Sequence, residues 1–304
     1  MFDRFEPFRI KTSKEPEVTI SGIRSTGTST NSASKDLPAL LLLHGFPQTH
    51  HIWHRVAPQL TDSYNVVLLD LRGYGSSSKP ADVSSYAKSA MARDCVAVME
   101  ELGFKTFYVC AHDRGARVAH KLCVDHPGRV TKAIFLDICP TLAMYEGTNF
   151  EFAKAYFHWF FLIQKSPLPE TLILGDPRRL AEMFMGGRQQ DGTAIFEAEC
   201  FEAYVSGLSD PDTVHGMCQD YRASATLDME EQRRDLAEGR HIKSPLRVLW
   251  GNAGIIEKAF DALAEWRKVT DEGVSVDGHV VDSGHYIPEQ APGVVVAEIR
   301  EFLI

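Results

Sequence analysis

The run Phe107-Tyr108-Val109-Cys110-Ala111-His112-Asp113-Arg114-Gly115 carries a short apolar strand straight into a helix, with small residues, Ala111 and Gly115, two positions either side of an aspartate. A strand-to-helix turn that tight strains its central residue and leaves little room beside it, the arrangement that raises a nucleophile at the end of a sheet. The central residue is Asp113, not serine, and this sets the chemistry. A serine that displaced halide from carbon would leave a stable ether, whereas a carboxylate leaves an ester that water can cleave. Asp113 therefore points to attack on an electrophilic sp³ carbon. The helix that follows adds backbone N–H groups and a dipole favouring an anion. Read only as a helix cap, Asp113 would leave its small neighbours unexplained.

Two further segments complete the chemistry. His44-Gly45-Phe46-Pro47 follows the apolar run Ala39 to Leu43, as an oxyanion loop does, and the backbone N–H of Phe46 would act with that of Arg114. His285 lies in Asp282-Ser283-Gly284-His285-Tyr286, after the last strand and before a closing helix, where a base that activates water belongs. Its acid partner is not after the strand Leu246 to Trp250, because Gly251 to Ile256 holds no carboxylate. Asp137, ending the strand Ala133 to Leu136, is the better candidate, with Glu257 and Asp261 as alternatives. His44, His50, His51 and His112 are given no proton-transfer role, His112 being read as a satisfied structural histidine.

The elements that must hold these residues follow from apolar patterning. Six short β-branched or Leu-rich runs (Ala39 to Leu43, Val66 to Leu69, Phe107 to Cys110, Ala133 to Leu136, Leu246 to Trp250, Val276 to Val281) read as strands of a sheet buried on both faces. Helical spacing in Ser89 to Leu102 and Ala116 to Asp125 gives the strand-helix alternation of a mostly parallel α/β sheet. Residues 21–36, small and polar, read as an exposed loop between two early strands. The alternation stops after Asp137 and resumes at Pro245, and the interval is rich in aromatics and Met with helical pattern. The expected organisation is a core over 1–140, an inserted helical cap over 141–240 above the ligand-binding edge of the sheet, and the rest of the core over 241–304.

Composition narrows the partners. The 304 residues are 44% hydrophobic and 24% charged, with a net charge of −9 and no basic cluster, which argues against nucleic acid and anionic membranes. Six cysteines lie scattered without a Cys-x-x-Cys pair, so no metal site and no disulfide framework is expected, and the chemistry above needs no cofactor. No apolar run reaches the length of a membrane span, and the charged start of the chain lacks a signal-peptide stretch. The expected location is cytoplasmic.

Nucleophile, acid and histidine in this order and these contexts are the α/β-hydrolase signature. Nearly the whole chain resembles the α/β hydrolases with an aspartate nucleophile, the dehalogenases and epoxide hydrolases. The pair Arg114 and Arg117, the pair His158-Trp159 and the run Asp220-Tyr221-Arg222-Ala223 resemble the fluoroacetate (haloacetate) dehalogenases. That resemblance implies a small anionic halogenated substrate, Asp137 as the acid, and a homodimer. Arg114 and Arg117 would hold the substrate carboxylate, and His158, Trp159 and Tyr221 the departing halide. The competing enzyme is an epoxide hydrolase, which would use the same Asp-His-Asp set and a cap tyrosine, Tyr156, Tyr204 or Tyr221, to protonate the epoxide oxygen. A non-catalytic ligand-binding protein of this fold would have no reason to keep all three catalytic positions. One departure concerns the pocket: where the family tends to crowd it with a further cap aromatic, the matching segment is Met185-Gly186-Gly187, which predicts a roomier site.

Overall fold

The structure is a computed structural model that describes residues 1–26, 37–188 and 192–304. Among these residues the strands are β1 (Phe5–Lys14), β2 (Glu17–Ser25), β3 (Ala39–Leu43), β4 (Asn65–Leu69), β5 (Phe107–His112), β6 (Val130–Leu136), β7 (Leu246–Gly251) and β8 (Val276–Val281). They form one sheet in the order β1-β2-β4-β3-β5-β6-β7-β8. The pairings of β2 with β1 and with β4 are antiparallel, and every pairing from β4 across to β8 is parallel. The apolar runs of the inner strands are explained by the two-residue period of a strand buried on both faces, whereas β8, expected to be buried likewise, is the sheet edge and largely exposed. Leu41, Leu43, Val109 and Phe135 enter one core, while Leu40, Leu42, Cys110 and Ile134 enter the other.

Helices α1 (Lys88–Glu101) and α2 (Arg114–Asp125) cover the first face. Between β6 and β7 the described residues form helices α3 (Thr141–Glu146), α4 (Phe150–Ala155), α5 (Phe157–Leu162), α6 (Leu168–Gly175), α7 (Pro177–Met185), α8 (Ala198–Ser209), α9 (Pro211–Ala223) and α10 (Met229–Ala237). A π-helical turn, Ser224–Asp228, joins α9 to α10. Helices α11 (Ile255–Ala259) and α12 (Ala262–Arg267) lie between β7 and β8, and α13 (Ile287–Gln290) and α14 (Pro292–Phe302) close the chain. No helix of the described residues is long and apolar enough to cross a membrane, and all six cysteines are free and buried.

One expected loop is partly strand. Residues 21–25 belong to β2, where Gly22, Ile23 and Arg24 pair with Leu69, Leu68 and Val67. Their composition is that of a turn, and the ladder hydrogen bonds to β1 and β4 override it. Residues 27–36 of that expected loop lie outside the described residues.

Candidate active site

The C-terminal ends of the parallel strands bring the chemistry together. Asp113, between β5 and α2, sits at φ 46°, ψ −114°, a backbone region that costs a non-glycine residue about 1–3 kcal/mol and is held only by surrounding packing. Its side chain caps no helix N–H. Instead Oδ1 accepts from the Phe46 N–H at 2.9 Å. The approach is close: a Cβ on Gly45 would lie 2.5 Å from the Asp113 Cβ, and one on Gly115 would lie 2.4 Å from the His44 carbonyl oxygen. The small residue read at 115 is thus a steric requirement of the β3–β5–α2 junction. Burial pushes the Asp113 carboxyl up, but His285, His112, Arg117 and Arg114 together hold it below its usual range. The group is a buried anion.

His285 Nδ1 lies 2.6 Å from Asp137 Oδ2, and its Nε2 lies 3.9 Å from Asp113 Oδ2. The first contact fixes the ring and the second leaves space for a reacting atom. Asp137, at φ 55°, also accepts from the Gly251 N–H at 3.0 Å, so the carboxylate-free end of β7 supplies a backbone donor. The alternatives are engaged elsewhere: Glu257 accepts from the Trp250 indole, and Asp261 caps α12 through the Ala264 N–H. His112 Nε2 sits 2.8 Å from the His285 carbonyl, while its Nδ1 is buried without a partner. Only one of its two nitrogens is satisfied, and burial pushes its pKa down to about 3, so it is a neutral support beneath the His285 loop. A cavity of about 370 Å³ opens beside His285, walled by Tyr156, Ile255 and Gly284.

The arginines differ from a pair of free forks. Arg114, fully buried, gives Nε and Nη2 to the Asp220 carboxylate at 2.8 Å each, and Nη2 also reaches the Ser224 hydroxyl at 2.7 Å. Its Nη1 remains buried without a partner. Arg117 uses Nη1 on the Cys139 carbonyl and the Thr141 hydroxyl, and its Nη2 touches the Met144 sulfur, so none of these partners is charged. Its Nε is likewise unpartnered. Burial and the neighbouring Arg114 push the Arg117 pKa down, with Asp113 opposing them. Arg114 lies over the Tyr221 ring at 4.2 Å and Arg117 over the Trp159 ring at 4.7 Å.

Above Asp113, His158 stacks with Phe46 at 6.2 Å between ring centroids and meets Tyr221 at 5.9 Å. Trp159 is fully buried, 6.4 Å from Tyr221, and its indole N–H has no partner. The segment Met185-Gly186-Gly187 lacks an aromatic, yet the residue before it, Phe184, packs 4.9 Å from His158 and 5.6 Å from Phe46. The expected gap at that wall is therefore filled from one position earlier, because α7 turns Phe184 toward the site.

With this geometry in place, comparison with known proteins is decisive. A fluoroacetate dehalogenase from a Burkholderia species is 42% identical over 88% of this chain and 87% of its own. The chain belongs to the fluoroacetate dehalogenase family of α/β hydrolases. The α/β-hydrolase fold model matches residues 38–174. The solved structure of ALR0039, described as an α/β hydrolase, from Nostoc sp PCC 7120 superposes with a TM-score of 0.91 at 43% identity, covering 100% of this chain and 99% of its own. A soluble epoxide hydrolase from Corynebacterium strain C12 is 28% identical over 86% of this chain and 89% of its own.

Several residues that support the site of this α/β hydrolase escaped sequence reasoning. Lys88 contacts both Asp220 and Asp228, and the π-helical turn lets Ser224 bridge Arg114 to Asp228. Burial opposes ionisation of Asp220, but Arg114 and Lys88 hold its pKa far below the usual range. Tyr145, half-buried 4.7 Å from Trp159, keeps an unpartnered hydroxyl. No local pattern marks these contacts, since the paired residues stand up to 140 positions apart.

Proposed function

We propose that this hydrolase dehalogenates a small 2-haloacid, turning a haloacetate into glycolate and halide through an ester on Asp113. The observation that carries this reading is a set of buried donors left without acceptors: Arg114 Nη1, Arg117 Nε, Trp159 Nε1 and the Tyr145 hydroxyl. Buried donors without partners are costly, and an anion bearing a carboxylate at one end and a halogen at the other would satisfy them. Two cations beside an anionic nucleophile also serve an anionic substrate, which Asp113 alone would repel.

The chemistry follows from the distances. Asp113 Oδ2 attacks the halogen-bearing carbon, the carbon–halogen bond breaks with inversion, and halide leaves toward His158, Trp159 and Tyr221, with the helices of 141–240 serving as the cap. Asp113 Oδ1 stays in the oxyanion site, on the Phe46 N–H with the Arg114 N–H as the second donor. Water in the space at His285 Nε2 gives that nitrogen a proton and attacks the ester carbonyl carbon. Asp137 stabilises the imidazolium, which returns the proton to the departing glycolate oxygen. Asp113 is released as an acid with one oxygen from water and returns to the anion by losing the second water proton to solvent.

The test is the ratio of kcat/KM for chloroacetate to that for chloroacetamide, in wild type, Arg114→Met and Arg117→Met. Losing a buried charged contact costs about 2–5 kcal/mol, tens to thousands fold in kcat/KM, and the amide has no charge to lose. The ratio falls in both variants if the arginines hold the carboxylate. An unchanged ratio in both would make them structural and favour the second reading.

That second reading, an epoxide hydrolase, is supported by the Corynebacterium relative and by Tyr156 and Tyr221 near His285 and Phe46. It loses Tyr204, whose hydroxyl donates to Glu289. A neutral epoxide also gains nothing from Arg117.

A further inference from the structure

We propose that Glu289 is a positioning residue for the hydrolysis described above, acting as an uncharged acid that ties the Phe46 loop, the His285 loop and helix α8 together. Its side chain is 1% exposed. Oε1 accepts from the Tyr204 hydroxyl of α8 at 2.6 Å and from the Gln48 side-chain amide at 2.9 Å, while Oε2 is buried without a partner. Gln48 Oε1 is buried and unpartnered too. Two buried acceptors without a donor, on side chains that already share one hydrogen bond, are unfavourable in a dry interior, and one proton on the Glu289 carboxyl supplies a donor. The result is an acid–amide pair with the amide donating to Oε1 and the acid donating to Gln48 Oε1.

The placement gives this pair its consequence. Gln48 is two residues after Phe46, whose N–H holds Asp113, and Glu289 is four residues after His285. Among the described residues, the groups around the carboxyl do not offer it a salt bridge. Arg55 donates to the Glu289 backbone carbonyl at 2.9 Å and also meets Glu197 at 3.6 Å. Cys200, on α8 with Tyr204, is buried and its thiol pushed up to about 12. In the 3-10 turn His50–Trp53, His50 is held by Asp70 and His51 by Thr49. On α14, Glu298 and Glu301 face Arg247, and Arg300 faces the Gln59 carbonyl. Burial accordingly pushes the Glu289 carboxyl up to about 8, against the pull of Tyr204, Arg55 and Gln48.

The sign of the linkage is fixed by that direction. Between the ordinary 4.5 and about 8 the unfolded chain has lost this proton and the folded chain has kept it, so stability falls as pH rises through that window. Glu289→Gln keeps an acceptor for Tyr204 and Gln48 and carries a permanent donor for Gln48 Oε1. The experiment compares Tm from about pH 5 to pH 8 and kcat/KM from about pH 6 to pH 9 for wild type, Glu289→Gln and Glu289→Leu. Expected are a Tm of Glu289→Gln that gains on wild type as pH rises, retained activity in Glu289→Gln, and loss of its alkaline decline. Glu289→Leu should lose activity at every pH. Parallel Tm curves for wild type and Glu289→Gln, or Glu289→Gln as inactive as Glu289→Leu, would overturn the proposal. The Tm comparison needs no substrate, so it stands apart from the dehalogenase reading.

Discussion

In the proposed ester mechanism Asp113 is the nucleophile, and its surroundings separate its two oxygens. Oδ1 is bound by the Phe46 N–H, whereas Oδ2 faces His285 across 3.9 Å. The oxygen that attacks is thus the one not already stabilised, and the carbonyl formed in the ester already lies in its oxyanion site. This asymmetry predicts the fate of isotope in the first turnover. In ¹⁸O-water, a single turnover of chloroacetate should place the label in the Asp113 carboxylate and leave glycolate almost unlabelled, as read by mass spectrometry of peptide and product. Label passing directly into glycolate would mean that water attacks the substrate itself. The convergence of Asp113, Asp137 and His285 was legible in the sequence because each sits at a strand end with a local pattern. Tyr145 was not, since a tyrosine in a helical segment looks the same whether its hydroxyl faces water or a buried site.

At the scale of elements, the site depends on how α1, α2 and α9 share one buried charge cluster. Arg114 and Lys88 converge on Asp220, and Asp228 reaches Lys88 through the π-helical turn. Removing one partner of a buried pair leaves the others uncompensated, which costs about 3–5 kcal/mol. Asp220→Asn should therefore lower the unfolding free energy by about that much, read as a lower urea midpoint, and release Arg114 from its fixed pose, raising KM for chloroacetate. Unchanged urea unfolding would show that the cluster contributes nothing net. The sequence marked Asp220 only as part of a resemblance, because its partners lie on α1 and α2, far along the chain. The parallel strands were readable from their apolar runs, whereas residues 21–25 were not, being polar enough to pass for a turn until the ladder to β4 is seen.

For the whole molecule, a net charge of −9 sets the problem that the site solves. Under the proposed reading an anionic substrate meets an anionic nucleophile in an acidic protein, and Arg114 and Arg117, both buried beside Asp113, would reverse the field locally. The architecture was legible because an apolar parallel sheet, a strained turn and a terminal histidine loop each leave a sequence trace. The wall of the pocket was not: Phe184 lies one residue outside the segment expected to form it, and only the turn of α7 brings it to His158. If an ester forms on Asp113 and His285 alone clears it, His285→Asn traps that ester, and mass spectrometry after exposure to chloroacetate reads it. The variant should release about one chloride per site and carry a single carboxymethyl group on the peptide containing Asp113. Sustained chloride release by an unmodified Asp113 would contradict the account.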